Sequence, residues 1–240
     1  MSEVFSASRV GRLMTCPGSA HLDLSIPGWV PPDEDPDKGA KGLGHQLHAY
    51  LEQTSNLSAR HLRCLADAMT YMSELRSRRR FKLAVEETLE AWWLVSRPHT
   101  TADVVLHLKD ELHIVDYKTG KIPVCAFDNP QLKFYALAYL PMAPKAKGAY
   151  LHIVQPWSKE GSNSWFCSRE ELLAFATETQ VAEAKILDGD TSLNPSDHCI
   201  FCDANPHKRG DKGHPLCPSM LSMLYPPDEL DDEELLNDRD

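Results

Sequence analysis

Leu112-His113-Ile114-Val115-Asp116-Tyr117-Lys118-Thr119-Gly120 is the stretch on which the reading of this chain turns. An apolar, β-branched run leads straight into Asp-x-Lys and then a glycine. The run predicts a strand from Glu111 to Tyr117. Side chains alternate along a strand, so Asp116 and Lys118 leave its end on the same face. Thr101 to Leu108 reads as the preceding strand, with Lys109-Asp110 as a tight turn between the two. Paired as a hairpin, these strands set Asp103 opposite Asp116.

Working outward, Lys82 to Trp93 reads as a third strand, and Pro130 sits in the first turn of a helix running to Leu140. Gly148 to Gln155 and Ser164 to Cys167 read as strands. Ser168-Arg169-Glu170-Glu171 opens a long helix with a capping-box pattern. Upstream, Leu43 to Gln53 and Ser58 to Arg79 carry helical patterning, residues 27–39 read as a loop, and Ser6 to Thr15 reads as a short capped helix ending at Cys16-Pro17. Asn194 to Pro218 is loop-like and holds three cysteines. The order predicts an α/β domain over residues 1–225, with a mixed central sheet flanked by helices, a helical N-terminal part and a Cys-rich C-terminal segment.

The chain has 240 residues and is 42% apolar, enough for a real core. No apolar run approaches the roughly 18 residues that cross a bilayer, and no basic-then-apolar leader is read at the N-terminus. The expected location is cytoplasmic. The formal charge of −10 argues naively against a nucleic-acid partner. From Pro226 to Asp240, however, eight acids and one arginine give −7, leaving −3 for the other 225 residues. That remainder suits a site holding several carboxylates beside a cation.

Two carboxylates and an amine at a strand end suit phosphodiester cleavage. Carboxylate oxygens are hard ligands for Mg²⁺. A bound cation activates water and neutralises phosphate charge, and a lysine stabilises that charge or helps deprotonate the water. The plainer reading of Asp116 and Lys118 alone is an exposed ion pair.

Thr101 to Tyr139 resembles the core of the RecB-like branch of the PD-(D/E)xK nucleases. There an Asp on one strand precedes an apolar strand ending in D-Y-K-T-G, matched by Asp116 to Gly120, and a helix follows with Q-x-x-x-Y, matched by Gln131 and Tyr135. The resemblance implies a restriction-endonuclease-like core and a DNA nuclease using Mg²⁺ or Mn²⁺. It implies that Asp103 and Asp116 hold metal, that Lys118 acts on water or phosphate, that Gln131 orients Lys118 or the DNA, and that Tyr135 contacts the phosphate region. The upstream G-x-x-x-H-A-x-L-E pattern is matched by Gly44 to Glu52, which makes His48 a further metal ligand with His45 as rival. Glu86 or Glu87 matches a further acidic position.

Seven cysteines without an export signal favour metal over disulfides. Cys16, with Cys199, Cys202 and Cys217, resembles the iron–sulfur subset of this branch, the AddB-like and CRISPR-associated exonuclease-like members. There four thiolates hold a [4Fe–4S] cluster that staples the ends of the domain. Here fourteen residues, His207 and His214 among them, separate Cys202 from Cys217, longer than the family's usual spacing. Zn²⁺ on Cys and His is therefore the alternative. Cys64, Cys125 and Cys167 read as core or incidental.

Arg76, Arg78, Arg79, Arg80 and Lys82 form a basic run suited to DNA phosphates or to a solvated helix end. Trp92 and Trp93 read as core or rim rather than base-stacking residues. The acidic tail, 226–240, reads as disordered, suited to docking a replication or recombination protein or to mimicking DNA. The leading expectation is an exonuclease acting on DNA ends or single strands in recombination, repair or phage replication. The alternatives are a non-catalytic DNA-binding or assembly protein on a decayed nuclease fold, and a zinc-stabilised interaction module.

Overall fold

The Leu112–Tyr117 run forms the central strand of a five-stranded sheet, buried on both faces along its whole length. The computed structural model describes residues 5–25, 66–77, 82–107, 110–118, 120, 122–155, 158–202, 204–205 and 217–220. Strands β1 (Lys82–Glu90), β2 (His99–His107), β3 (Leu112–Tyr117), β4 (Gly148–Val154) and β5 (Asn163–Ser168) lie side by side in chain order. All neighbours are antiparallel except β3 and β4, which are parallel. The fold is α/β with a mixed sheet and flanking helices.

The parallel step needs a crossover. The segment between β3 and β4 supplies it with helix α4 (Pro130–Tyr139); helices α1 (Val10–Thr15), α2 (Gly18–Ser25) and α3 (Ala66–Ser77) precede it in the chain, and α5 (Arg169–Leu187) follows β5. Asn129 caps α4 by accepting from Leu132 N at 3.2 Å, and Pro130 occupies a first-turn position where no donor is lost. The capping box of α5 forms as expected: Ser168 N donates to Glu171 Oε2 at 2.7 Å, and Glu171 N to Ser168 Oγ at 3.1 Å.

Helix α4 packs on one face of the sheet, against β1 to β4. The other face carries a cluster of Val104, Leu106, Val115, Tyr117 and Val154, closed by Met72 of α3 with Tyr71 and Leu75 beside it. A buried polar chain also runs there. Tyr71 OH meets His152 Nδ1 at 2.7 Å, His152 Nε2 meets His113 Nδ1 at 3.0 Å, and His113 Nε2 lies 3.6 Å from a Glu111 carboxylate oxygen. Burial, and then the neighbouring His113, push the His152 imidazole down to about 3, so it is neutral. The backbones of β4 and β5 touch at Gly148, where a Cβ would sit 2.1 Å from the Cys167 carbonyl oxygen.

Several boundaries differ from the sequence expectation. The strand expected to reach Trp93 stops at Glu90, because both indoles turn in to make hydrogen bonds: Trp92 Nε1 to the Leu137 carbonyl, and Trp93 Nε1 to Thr179 Oγ1, both at 3.0 Å. The first helix begins at Val10 rather than Ser6, whose hydroxyl pairs with Ser8 Oγ instead of capping. Asp197–Phe201 forms a short 3-10 helix within the expected loop. The helix expected at Leu43–Gln53 lies outside the described residues, as does the acidic tail.

The chain divides into two compact units. Met1–Val10 with Glu34–Val181 contains the sheet, and Gly11–Asp33 with Ala182–Asp240 forms the second unit. In the second, Asn194 Nδ2 donates to the Thr15 carbonyl at 2.8 Å, and Cys202, Ala204 and Cys217 form a small buried cluster against Leu22, Leu193 and Met220.

Candidate active site

The end of β3 brings its acid and amine together. Lys118 N donates to the Val154 carbonyl at 3.0 Å, which continues the parallel ladder one step past the strand. Lys118 Nζ then lies 2.8 Å from Asp116 Oδ2. Asp116 is 2% exposed, whereas the Lys118 side chain reaches toward solvent. A lone buried carboxylate would be costly, and the half-exposed amine offsets that cost.

Helix α4 holds the pair from above. Gln131 Oε1 accepts from Lys118 Nζ at 3.0 Å, while its Nε2 donates to Asp116 Oδ1 at 3.4 Å and to Tyr135 OH at 2.8 Å. This pattern assigns the amide orientation, since only oxygen can receive the ammonium. Gln131 and Tyr135 are four residues apart, one helical turn, so they stack on one face of α4. Tyr135 is 6% exposed. Burial, and next the Asp116 charge, push its phenol well above the ordinary range, with Asp103 and Glu86 adding to the effect. It therefore stays protonated and meets Gln131 rather than the surface.

Asp103 sits where the hairpin expectation put it. The β2–β3 ladder pairs Val104 with Val115, and one further step sets Asp103 across from Asp116. Asp103 Oδ2 also accepts from Tyr117 N at 2.7 Å, fixing the carboxylate against β3.

Glu86 completes the row, and the sequence left it level with Glu87. The β1–β2 ladder pairs Val85 with Val104 and Glu87 with Ala102 but omits the step between them, where Glu86 faces Asp103. Glu86 has φ of 49°, a left-handed backbone that is strained for a residue with a Cβ. Its charge is felt at both Tyr135 and Tyr139, whereas Glu87 acts on Tyr139, whose hydroxyl donates to the Glu87 carbonyl at 2.9 Å. The strain and the reach to Tyr135 distinguish Glu86 from Glu87, and neither is legible in a sequence. Among the described residues, no group of three or more His, Cys, Asp or Glu side chains is arranged to hold a metal ion.

Other expected site residues are placed elsewhere or not described. His48, its rival His45, Arg78, Arg79, Arg80, Cys64, His207 and His214 lie outside the described residues. Arg76 belongs to α3, but its side chain is not among those described, and Lys82 is exposed at the start of β1. Cys16, Cys199, Cys202 and Cys217 all fall in the second unit, and none is in a disulfide. Asn194 N donates to Cys16 Sγ at 3.3 Å, Ser196 N to Cys199 Sγ at 3.4 Å, and Arg12 Nη1 to Cys202 Sγ at 3.5 Å. Cys167 is buried in β5 with its thiol pushed up to about 12 by burial, so it is inert, and Cys125 is exposed. Trp93 is core and Trp92 is partly exposed. No helix among the described residues is long and apolar enough to cross a membrane.

The family described as "Protein of unknown function (DUF2800)" matches residues 3–236. The chain belongs to this family. No curated protein matches the DUF2800 chain. Among solved structures it is similar to the crystal structure of SSO0001, at 14% identity over 92% of this chain and 86% of that one, with a TM-score of 0.45. It is also similar to an alkaline exonuclease (LHK-Exo) from Laribacter hongkongensis, at 12% identity over 77% of this chain and 88% of that one, with a TM-score of 0.39. Likenesses at that level carry no argument, so a function for this DUF2800 chain must be argued from its own residues.

Proposed function

We propose that this chain is a Mg²⁺- or Mn²⁺-dependent DNA nuclease with its centre at Asp103, Asp116 and Lys118. The observation that carries the reading is the bridge: one ammonium held between Asp116 at 2.8 Å and Gln131 at 3.0 Å, beside a row of carboxylates from adjacent strands. Hard oxygen donors beside a positioned amine suit a divalent cation and a phosphate. Asp103 and Asp116 would hold the cation, and His48 would add a ligand by the resemblance to RecB-like nucleases. The bound cation supplies an activated water and neutralises charge on the phosphate. Lys118 stabilises the developing phosphate charge, Gln131 holds that ammonium in place, and Tyr135 positions Gln131. DNA reaches the site past the basic run ending at Lys82, and the acidic tail docks a replication or recombination protein. The mode we propose is exonucleolytic, on ends or single strands.

The cysteines support a second centre by their hydrogen bonds. Thiols are weak acceptors, whereas thiolates attract donors. Three of the four sulfurs receive an N–H, one from a buried guanidinium. Cys16, Cys199, Cys202 and Cys217, which are not gathered into a metal-holding group among the described residues, would have to draw together to hold a [4Fe–4S] cluster, or Zn²⁺ with Cys and His, as a structural staple. Iron and zinc analysis of purified protein, with a visible spectrum, separates the two.

The nuclease reading is tested by digesting end-labelled linear DNA and closed circular DNA in Mg²⁺, then in EDTA. The expected result is cation-dependent release of short products from ends, with circles spared. Cleaved circles would replace the exonuclease mode by an endonuclease. Intact DNA of every form, with metal present and the protein folded, would leave the non-catalytic DNA-binding reading.

A further inference from the structure

The described residues between Lys118 and Pro130 are in neither helix nor strand, yet two side-chain amides hold them. Gln155, buried just after β4, donates through Nε2 to the carbonyls of Gly120 at 2.8 Å and Ile122 at 2.7 Å, and accepts from Val124 N at 2.9 Å. Asn163, at the start of β5, accepts from Ala126 N at 2.6 Å and donates to the Val124 carbonyl at 2.9 Å. A segment pinned this firmly has the means to bury its apolar side chains. Instead Ile122 is 63% exposed and Phe127 is 67% exposed. The Phe127 ring is not a free rotor, for it meets Trp165 of β5 edge to face at 5.2 Å. Behind Trp165, the Lys133 ammonium lies 5.7 Å from the ring centroid and pairs with Asp128, a residue held in the left-handed region at φ 53°. Exposed apolar rings and backbone strain thus coincide between the two residues that hold the catalytic amine.

We infer that Phe127, backed by Trp165, is a stacking platform for an unpaired nucleobase next to the phosphate at Lys118, so that the strand entering the site is single-stranded there. This rests on the nuclease reading and names its substrate. The occupant follows from proximity: four residues span at most about 14 Å, so Phe127 lies within that of Gln131, which holds the Lys118 amine, and a strand with its phosphate at Lys118 has this ring within a few nucleotides. A base offers a flat ring that stacks on an aromatic side chain whatever its sequence. In a duplex that face is covered by the neighbouring pair, and only a single strand or frayed end exposes it.

The test is binding of a fluorescent oligodeoxynucleotide to the full chain in EDTA, measured by anisotropy, for wild type, Phe127→Ala and Phe127→Tyr. Phe127→Ala is expected to weaken single-strand binding on the order of ten-fold, within the range for loss of one base stack. Phe127→Tyr restores it, and a hairpin duplex with a closed end binds all three proteins alike. An oligomer of abasic residues should bind wild type as weakly as the normal strand binds Phe127→Ala. Equal single-strand affinity in wild type and Phe127→Ala overturns the platform, and so does an equal loss on the closed duplex. A change in sedimenting mass with Phe127→Ala, at unchanged DNA affinity, overturns it in favour of contact between copies of the chain. The two readings fail separately: wild type that binds the strand through Phe127 but hydrolyses no DNA defeats the nuclease and leaves the platform.

Discussion

The two faces of the central sheet each carry a buried chain of polar side chains, built to opposite rules. Under α3 the chain is neutral. His152 holds a single ring proton, so of its bonds to Tyr71 OH and His113 Nδ1 it donates one and accepts the other. Both His152 nitrogens have hydrogen-bond partners, His113 Nε2 ends the chain 3.6 Å from a Glu111 carboxylate oxygen, and His113 also stacks on Tyr150 at 4.7 Å. Under α4 the chain is charged: Asp103, Asp116 and Lys118, with Gln131 and Tyr135 locked to them. A hydrogen-bonded network of neutral groups contributes stability at small cost. A buried ion pair does so poorly, since well-packed apolar side chains often serve as well or better. The charged face is therefore the one whose composition stability alone does not explain, and it is also the face with a strained residue in its ladder, Glu86.

If that contrast is right, the largest effects on catalysis come from the α4 face. Asp116→Asn is expected to lower DNA hydrolysis by about 10²–10³-fold, the scale of a lost electrostatic group in a preorganised site. Lys118→Ala should lower it as much and also destabilise the fold, because it strands a buried carboxylate. Adding Asp116→Asn to Lys118→Ala should then recover stability without recovering activity, read from urea midpoints beside initial rates. Independent, additive losses in stability would break the comparison.

Glu86→Gly should separate the two quantities in opposite directions. Glycine accepts the left-handed backbone without strain, so the fold gains up to about 1 kcal/mol, while hydrolysis falls on the order of ten-fold. A loss of stability would mean that Glu86 is held by packing and not for chemistry.

The α3 face should answer to pH and to stability alone. The His152 imidazole titrates at about 3 when folded against an ordinary 6.5, so between those values the unfolded chain binds more protons. Its contribution is complete above pH 6.5 and is lost as pH falls from 6.5 toward 3. Denaturation midpoints at pH 7.5, 6 and 5 should show that slope in wild type and a shallower one in His152→Phe. Tyr71→Phe, which removes the hydroxyl's bonds to His152 and Ser164, should cost about 1–2 kcal/mol at pH 7.5, with DNA hydrolysis unchanged.

How much of this was legible in the chain depends on range. The D-Y-K-T-G strand, Asp103 opposite Asp116, and Gln131 with Tyr135 on one helical face all follow from periods of two and 3.6 applied within about 35 residues. The turn at Trp92-Trp93 was misread as strand because two indole N–H groups find partners 45 and 86 residues away, which no local pattern records. The His113–His152–Tyr71 chain was missed for the same reason: its members come from β3, β4 and α3, and a lone histidine in a strand has no signature. The burial of Tyr135 against Gln131 is not legible either, since it is set by how closely α4 packs on the sheet.

The smallest effect should be the most discriminating. Glu86 and Glu87 are adjacent carboxylates, equivalent in composition and spacing, and only geometry separates them. Glu87 keeps its ladder partner Ala102 and offers Tyr139 both its backbone carbonyl, which survives substitution of the side chain, and its carboxylate, whose acceptor oxygen a glutamine retains. Glu87→Gln should therefore change stability by no more than about 0.5 kcal/mol and leave hydrolysis within about two-fold of wild type. Glu86→Gln, the same chemical change one residue earlier, should lower hydrolysis about ten-fold, since it removes a charge facing Asp103 across the ladder. Equal responses in the pair would show that the left-handed backbone at Glu86 only relieves the twist of an edge strand, and the row of three carboxylates would shrink to two.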